Sequence, residues 1–310
     1  MLDDWQDVAR AHGPWERLDG RCTVRFLHTH ITDVDALVAE LSDAEVVVAM
    51  RERTPFPTAV LERLPALRLL VTTGMANASI DLEATAARGI TVSGTSMYAP
   101  PTAELTWGLI LASIKHIPFE HQAVGEGQWQ TTVGGDLAGK RLGVIGLGRL
   151  GSRVSRVALA FGMDVVAWSH NLTAERATEV GASLVPLDEL LRTSDVVTLH
   201  VRLSERTRGL LGARELALMK PDALLVNTSR GPLVDGAALL AALQERRIRA
   251  AVDVYDEEPL PAGHPLRSAP SLIHTPHLGY VTEATYDRFF TEIVEDIEAY
   301  LDGSPLRILA

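Results

Sequence analysis

Residues 141–151 read Arg-Leu-Gly-Val-Ile-Gly-Leu-Gly-Arg-Leu-Gly. A short apolar run, expected as a strand over 141–147, leads into Gly146, Gly148 and Gly151. A helical pattern follows over 150–161 and stops at Gly162. In that setting each glycine has a physical use. The first permits a tight turn, the second lets backbone approach a pyrophosphate, and the third lets helix and strand pack closely. The new helix then offers unpaired N–H groups to phosphate oxygens. The loop Gly146-Leu147-Gly148-Arg149-Leu150-Gly151 is therefore expected to bind a dinucleotide.

Working outward, the same alternation continues. Apolar runs rich in Val, Ile and Leu predict strands at 164–169, 195–201, 223–229, 250–255 and 271–276. Helical patterns lie between them at 173–180, 187–192, 213–219 and 235–246. Strands that are apolar throughout and alternate with helices imply a parallel sheet covered on both faces, hence an α/β fold. Before residue 98 a weaker version recurs. Strands are expected at 23–28, 45–49, 67–72 and 90–93, with helices at 34–41, 58–64 and 81–88. Pro100-Pro101 opens an apolar helix expected over 102–117 and ended by Pro118, and the boundary between two domains is placed there. The last helix, about 282–301, is expected to return to the first domain.

Bulk properties narrow the function. A chain of 310 residues suits two domains. The formal net charge of −11 speaks against a nucleic-acid partner, and the few basic clusters are short. No apolar run is long enough to cross a bilayer, and the start, Met-Leu-Asp-Asp-Trp, lacks a signal-peptide pattern, so a cytoplasmic setting is expected. Cys22, the one cysteine, can form neither an internal disulfide nor a multi-cysteine metal site, and no metal is expected.

The second strand of the central region ends Ala167-Trp168-Ser169-His170-Asn171. The Asp or Glu that commonly holds the ribose hydroxyls of NAD is missing, which permits NADP. Ser169, His170 and Asn171 could hydrogen-bond its phosphate, but no arginine is adjacent, so NAD and NADP both stay open. In a parallel sheet all strand C-termini share one edge, and three polar groups fall just beyond such ends: Arg230, Glu258 and His277. A guanidinium grips a carboxylate with two parallel hydrogen bonds. An imidazole delivers a proton near neutral pH, and a carboxylate beside it orients the ring and stabilises its charged form. Those are the parts needed to reduce a 2-keto acid.

Four segments taken together, Gly146–Gly151, Asn227–Asp235 (NTSRGPLVD), Ala251–Leu260 (AVDVYDEEPL) and Thr275–Tyr280 (TPHLGY), resemble the D-isomer-specific 2-hydroxyacid dehydrogenase family over nearly the whole chain. The resemblance implies a Rossmann dinucleotide-binding domain, 99–281, inserted in a smaller flavodoxin-like substrate domain, 1–98 with 282–310. It implies Arg230 as the substrate binder, His277 as acid/base and Glu258 as its partner. It places His200, Thr228 and Asp253 on the cofactor side with NAD or NADP. Backbone N–H groups around Gly74, Met75 and Ala76 would hold the substrate carboxylate. Arg51 and Arg53 would either bind a second anionic group or form a solvated face. A homodimer joined through 102–117 and 119–135 is also implied.

The sequence departs from the family in three places. Only Met1-Leu2 precede Asp3-Asp4, where relatives carry a full strand. Val201-Arg202 follow His200, where relatives often have proline. No regulatory domain follows the last helix, which argues against a feedback-regulated phosphoglycerate dehydrogenase. The expected activity is reduction of a small 2-keto acid such as glyoxylate or hydroxypyruvate to a D-hydroxy acid. A dinucleotide-sensing co-repressor or a phosphite-type dehydrogenase on the same scaffold are the alternatives.

Overall fold

Valine, leucine and isoleucine concentrate in four- and five-residue runs whose side chains are buried on both faces, as parallel strands require. The computed structural model describes residues 1–310. The chain divides into two units, Met1–Tyr98 with Val281–Ala310, and Ala99–Tyr280.

The elements run in chain order as follows. The first unit begins with α1 (Ala9–His12), α2 (Val34–Leu41), β1 (Val46–Ala49), α3 (Thr58–Leu61), β2 (Leu69–Thr72), α4 (Leu82–Ala87) and β3 (Thr91–Gly94). The second unit opens with α5 (Pro100–Ile114) and α6 (Ile117–Gly125), then β4 (Arg141–Ile145), α7 (Arg149–Ala160), β5 (Asp164–Trp168), α8 (Ala174–Thr178) and β6 (Ser183–Leu184). It continues with α9 (Leu187–Thr193), β7 (Val196–Leu199), α10 (Ala213–Leu218), β8 (Leu224–Asn227), α11 (Gly236–Gln244), β9 (Arg249–Val252) and β10 (Leu272–His274). Helix α12 (Glu283–Leu301) returns to the first unit, where it packs on β2 and β3.

In the first unit β1, β2 and β3 form a parallel ladder in that order. The expected strand at 23–28 is not a ladder strand. It is extended, and single bonds tie it to the four residues Met1–Asp4: Leu27 N–H donates to the Met1 carbonyl and Asp4 N–H to the Leu27 carbonyl. Met1–Asp4 in turn meets β1 through Leu2 N–H and the Val48 carbonyl. So short a partner cannot support regular pairing. The spatial order of the extended segments, second-first-third-fourth-fifth, is nevertheless that of a flavodoxin-like sheet.

In the second unit seven parallel strands run β10-β9-β8-β7-β4-β5-β6, the doubly wound Rossmann order carried one strand further. Apolar cores cover both faces, one around Leu142, Val144 and Val154, the other around Ile145, Val197 and Leu225. Pro118 does not stop a long helix as expected. Helix α5 ends at Ile114, His116 takes a left-handed φ of 52°, and Pro118 sits in the first turn of α6, a position where its missing N–H costs nothing.

Candidate active site

Strand β4 delivers the glycine loop. Gly146 has φ 101°, and a methyl there would overlap the His200 backbone. A methyl at Gly151 would strike the Gly146 carbonyl, so the turn and the helix packing both need glycine. Gly148, the N-cap of α7, faces open space. Packing does not demand glycine there, and backbone is left accessible where a pyrophosphate would approach. Arg149 begins α7 and is exposed, with Leu150 partly buried behind it.

His200 lies directly beyond β7. Its Nε2 meets Thr198 Oγ1 at 3.0 Å, while the buried Nδ1 has no partner. Burial lowers its pKa to about 4 and keeps the ring neutral. Ser169 and His170 follow β5, and the imidazole of His170 lies 4.8 Å from the Trp168 ring. An open backbone cradle beside an orphaned buried ring nitrogen fits a dinucleotide pyrophosphate and its neighbouring groups.

The neighbouring strand ends carry the acid/base groups. Asn227 of β8 is in register with Val252 of β9, and Val252 with His274 of β10, so the segments after all three leave the same edge. Thr228 follows β8, buried, its hydroxyl 2.9 Å from Thr106 Oγ1 on α5. Arg230 comes next. Asn227 Nδ2 donates to its carbonyl at 2.9 Å, which folds the loop back over its own strand. At Gly231 an added methyl would overlap the Tyr255 carbonyl carbon, so the Arg230 loop lies directly against the loop that carries Glu258.

Glu258 divides its two oxygens. Oε1 accepts from Tyr255 N–H at 2.9 Å, and Oε2 meets His277 Nδ1 at 2.6 Å. The ring is thereby gripped on one nitrogen, which leaves Nε2 as the proton-carrying edge. His277 holds a φ of 55°, rare for a residue with a side chain, and its ring is packed edge-on against Tyr280. Asp253 explains how that backbone persists. Fully buried after β9, it accepts from Thr275 Oγ1 at 2.6 Å, Leu278 N–H at 2.7 Å and Gly279 N–H at 2.9 Å, bracketing His277 on both sides. Burial pushes its carboxyl above the usual aspartate range, against the pull of these donors. Sequence reasoning grouped Asp253 with the cofactor; its visible contacts are with the histidine loop. Tyr255, to which the sequence alone assigns no role, supplies the N–H that sets Glu258, and its hydroxyl donates to the Thr275 carbonyl at 2.9 Å. A backbone donor leaves no mark in a sequence.

In the first unit, Gly74 has φ 95° and its N–H donates to Thr95 Oγ1 at 2.9 Å. Met75 and Ala76 are exposed beside it. Arg51 lies beneath this turn: its Nη1 donates to the Thr73 carbonyl at 3.0 Å, and a methyl on Gly74 would collide with it. Arg53 is buried elsewhere in the unit, donating to the Asp3 carbonyl at 2.7 Å with its guanidinium 3.8 Å from the Trp5 ring centre. The structure thus couples Arg51 to the 74–76 turn, and neither arginine belongs to a solvated face.

Comparison with known proteins gives a consistent result. Residues 107–279 match the family described as D-isomer specific 2-hydroxyacid dehydrogenase, NAD binding domain. A D-3-phosphoglycerate dehydrogenase of Methanocaldococcus jannaschii is 38% identical over 274 residues, 87% of this chain and 52% of that protein. The chain thus spans about half the length of that relative. A glyoxylate reductase of Aeropyrum pernix is 38% identical over 255 residues, 79% of this chain and 76% of its own. Among solved structures, a phosphoglycerate oxidoreductase from Vibrio cholerae superposes with a TM-score of 0.93 at 35% identity, covering 97% of this chain and 98% of the other.

Proposed function

The chain belongs to the D-isomer specific 2-hydroxyacid dehydrogenase family, and on that premise we propose that it reduces a small 2-keto acid, of the size of glyoxylate or hydroxypyruvate, to the D-2-hydroxy acid. The observation that carries this reading is the Glu258–His277 pair at 2.6 Å, on the same sheet edge as the glycine loop. A bound NAD(P)H supplies the hydride for the carbonyl carbon. Arg230 holds the substrate carboxylate and polarises the carbonyl with its planar fork. His277 delivers the proton from Nε2 to the oxygen that becomes the hydroxyl, and it is reprotonated from solvent. Glu258 keeps Nδ1 occupied and balances the charge of the imidazolium.

The remaining assignments are part of the same proposal. The backbone N–H groups of the loop Gly146, Gly148, Arg149, Leu150 and Gly151 cradle the pyrophosphate, with Ser169, His170, His200 and Thr228 along the same edge. Asp253 serves the cofactor side through the 275–279 loop that it holds. The unit built from both chain ends serves as the substrate domain, where the turn Gly74–Ala76, backed by Arg51, binds the substrate carboxylate. Arg53 supports the same unit from within. A homodimer is supported by apolar exposure on α6 and the segment after it: Phe119 is 56% exposed, Trp129 76% and Val133 93%. No helix is long and apolar enough to cross a membrane. A cytoplasmic setting completes the proposal, supported by a chemistry that draws on the cell's dinucleotide pool.

The test is oxidation of NADH and of NADPH against a panel of 2-keto acids. Turnover with one of them supports the reductase. Silence across the panel, with dinucleotide binding intact, points to a sensor or to phosphite-type chemistry.

A further inference from the structure

In a doubly wound sheet, the ends of the central strand and its two neighbours take the adenosine half of a dinucleotide. Here Ile145 of β4 is in register with Trp168 of β5 and with Leu199 of β7. Gly146 N–H donates to the Trp168 carbonyl at 2.8 Å, and His200 N–H to the Ile145 carbonyl at 2.7 Å. With neighbouring strands about 4.8 Å apart, the three segments that follow share a rim about 10 Å wide.

The four residues beyond each end are Gly-Leu-Gly-Arg (146–149), Ser-His-Asn-Leu (169–172) and His-Val-Arg-Leu (200–203). None is acidic, in a chain with 40 carboxylate side chains and a net charge of −11. Each segment presents a cation or an imidazole: Arg149, His170 and Arg202, all exposed. Neither arginine is in an ion pair. The nearest acid on these segments, Glu205, comes three residues after Arg202.

The positions are set by local structure. His170 is held against the Trp168 ring, and Leu172 N–H donates to the Ser169 carbonyl at 3.2 Å, closing a turn. Thr207 Oγ1 donates to the Arg202 carbonyl at 2.6 Å and fixes the loop after β7. A ribose with a free 2′-hydroxyl is best held by a carboxylate that accepts its hydrogen bond. A 2′-phosphate needs donors and positive charge, and a carboxylate would repel it.

We propose that this rim recognises the 2′-phosphate of NADP(H), with Ser169 and His170 donating hydrogen bonds and Arg149 and Arg202 supplying charge, so that the chain takes NADPH in preference to NADH. This rests on reading the chain as a nicotinamide-dependent dehydrogenase, and the experiment separates the two.

The experiment is calorimetric titration of the whole protein with NADPH and NADH, with 2′,5′-ADP and 5′-AMP as fragment probes, alongside the variant His170→Asp. NADPH is expected to bind about tenfold or more tighter than NADH, and 2′,5′-ADP tighter than 5′-AMP. His170→Asp is expected to weaken NADPH by about tenfold and to leave NADH unchanged or improved. Equal affinities, tighter NADH, or equal weakening of both by the variant overturns the assignment while the dehydrogenase stands. Binding of neither dinucleotide removes the dehydrogenase reading, and this inference with it.

Discussion

Glu258 reaches His277 with one carboxylate oxygen, at 2.6 Å, while its other oxygen is held at 2.9 Å by the backbone N–H of Tyr255. The contact to Tyr255 removes the freedom of the acid to swing away, so the imidazole is aimed by the backbone of the loop after β9 as much as by a side chain. Asp253 completes the arrangement by pinning the residues on either side of His277. Both sources of order lie within the unit that carries the glycine loop.

If His277 supplies the proton and nothing else, His277→Ala should lower kcat by about 10²–10⁴ and leave dinucleotide affinity within about threefold. Stopped-flow reduction and direct titration of NADPH measure the two. Loss of dinucleotide binding in step with kcat would place the ring in the cofactor site instead.

Arg230→Lys keeps the charge and loses the fork. Charge-assisted hydrogen bonds contribute about 1.5–3 kcal/mol each, so losing one should lower kcat/KM by about 10–100-fold. Steady-state kinetics with a 2-keto acid reads this directly. Wild-type kinetics in Arg230→Lys would take Arg230 out of the substrate site.

The Arg230 and Glu258 loops touch through Gly231, where there is no room for a methyl against the Tyr255 and Asp256 backbone. Gly231→Ala should therefore push the loops apart, costing about 1–3 kcal/mol of stability, the range for overpacking. Gly148→Ala, at a position facing open space, should leave stability nearly unchanged and weaken the dinucleotide. Urea titration and calorimetry of the two variants together distinguish packing from binding.

Much of this fold was legible because its signals are local. The run 141–151 carries strand, turn and helix start within eleven residues, and short runs of Val, Leu and Ile recur wherever β4, β5, β7 and β8 form. The strand-end rule then gathers Arg230, Glu258 and His277 on one edge, and the structure joins the last two directly. What stayed hidden depends on contacts distant in sequence or on backbone groups. Met1–Asp4 enters the sheet of the first unit without forming a ladder, so its partner 23–28 reads as a strand and is only extended. Pro118 can end one helix or begin the next, and the left-handed turn at His116 decides. The burial of Arg53 depends on Trp5 and Asp3, nearly fifty residues away, which composition cannot foresee.

His200 makes a prediction about pH. Part of the residue reaches solvent, but Nδ1 does not, and burial lowers its pKa from the ordinary 6.5 to about 4. The native ring stays neutral where the unfolded chain already binds a proton. Stability from this group is therefore complete above about pH 6.5 and is lost as pH falls toward 4, with a limiting slope of about 1.4 kcal/mol per pH unit and at most about 3 kcal/mol in total. His200→Asn carries no titrating ring, so its stability should fall less steeply than that of the wild type through this window. Urea titrations of both proteins at pH 7.5 and pH 5 measure the difference. Parallel pH dependence in the two would mean that the imidazole is solvated in the native state and that the edge beside Gly146 is wetter than its burial indicates.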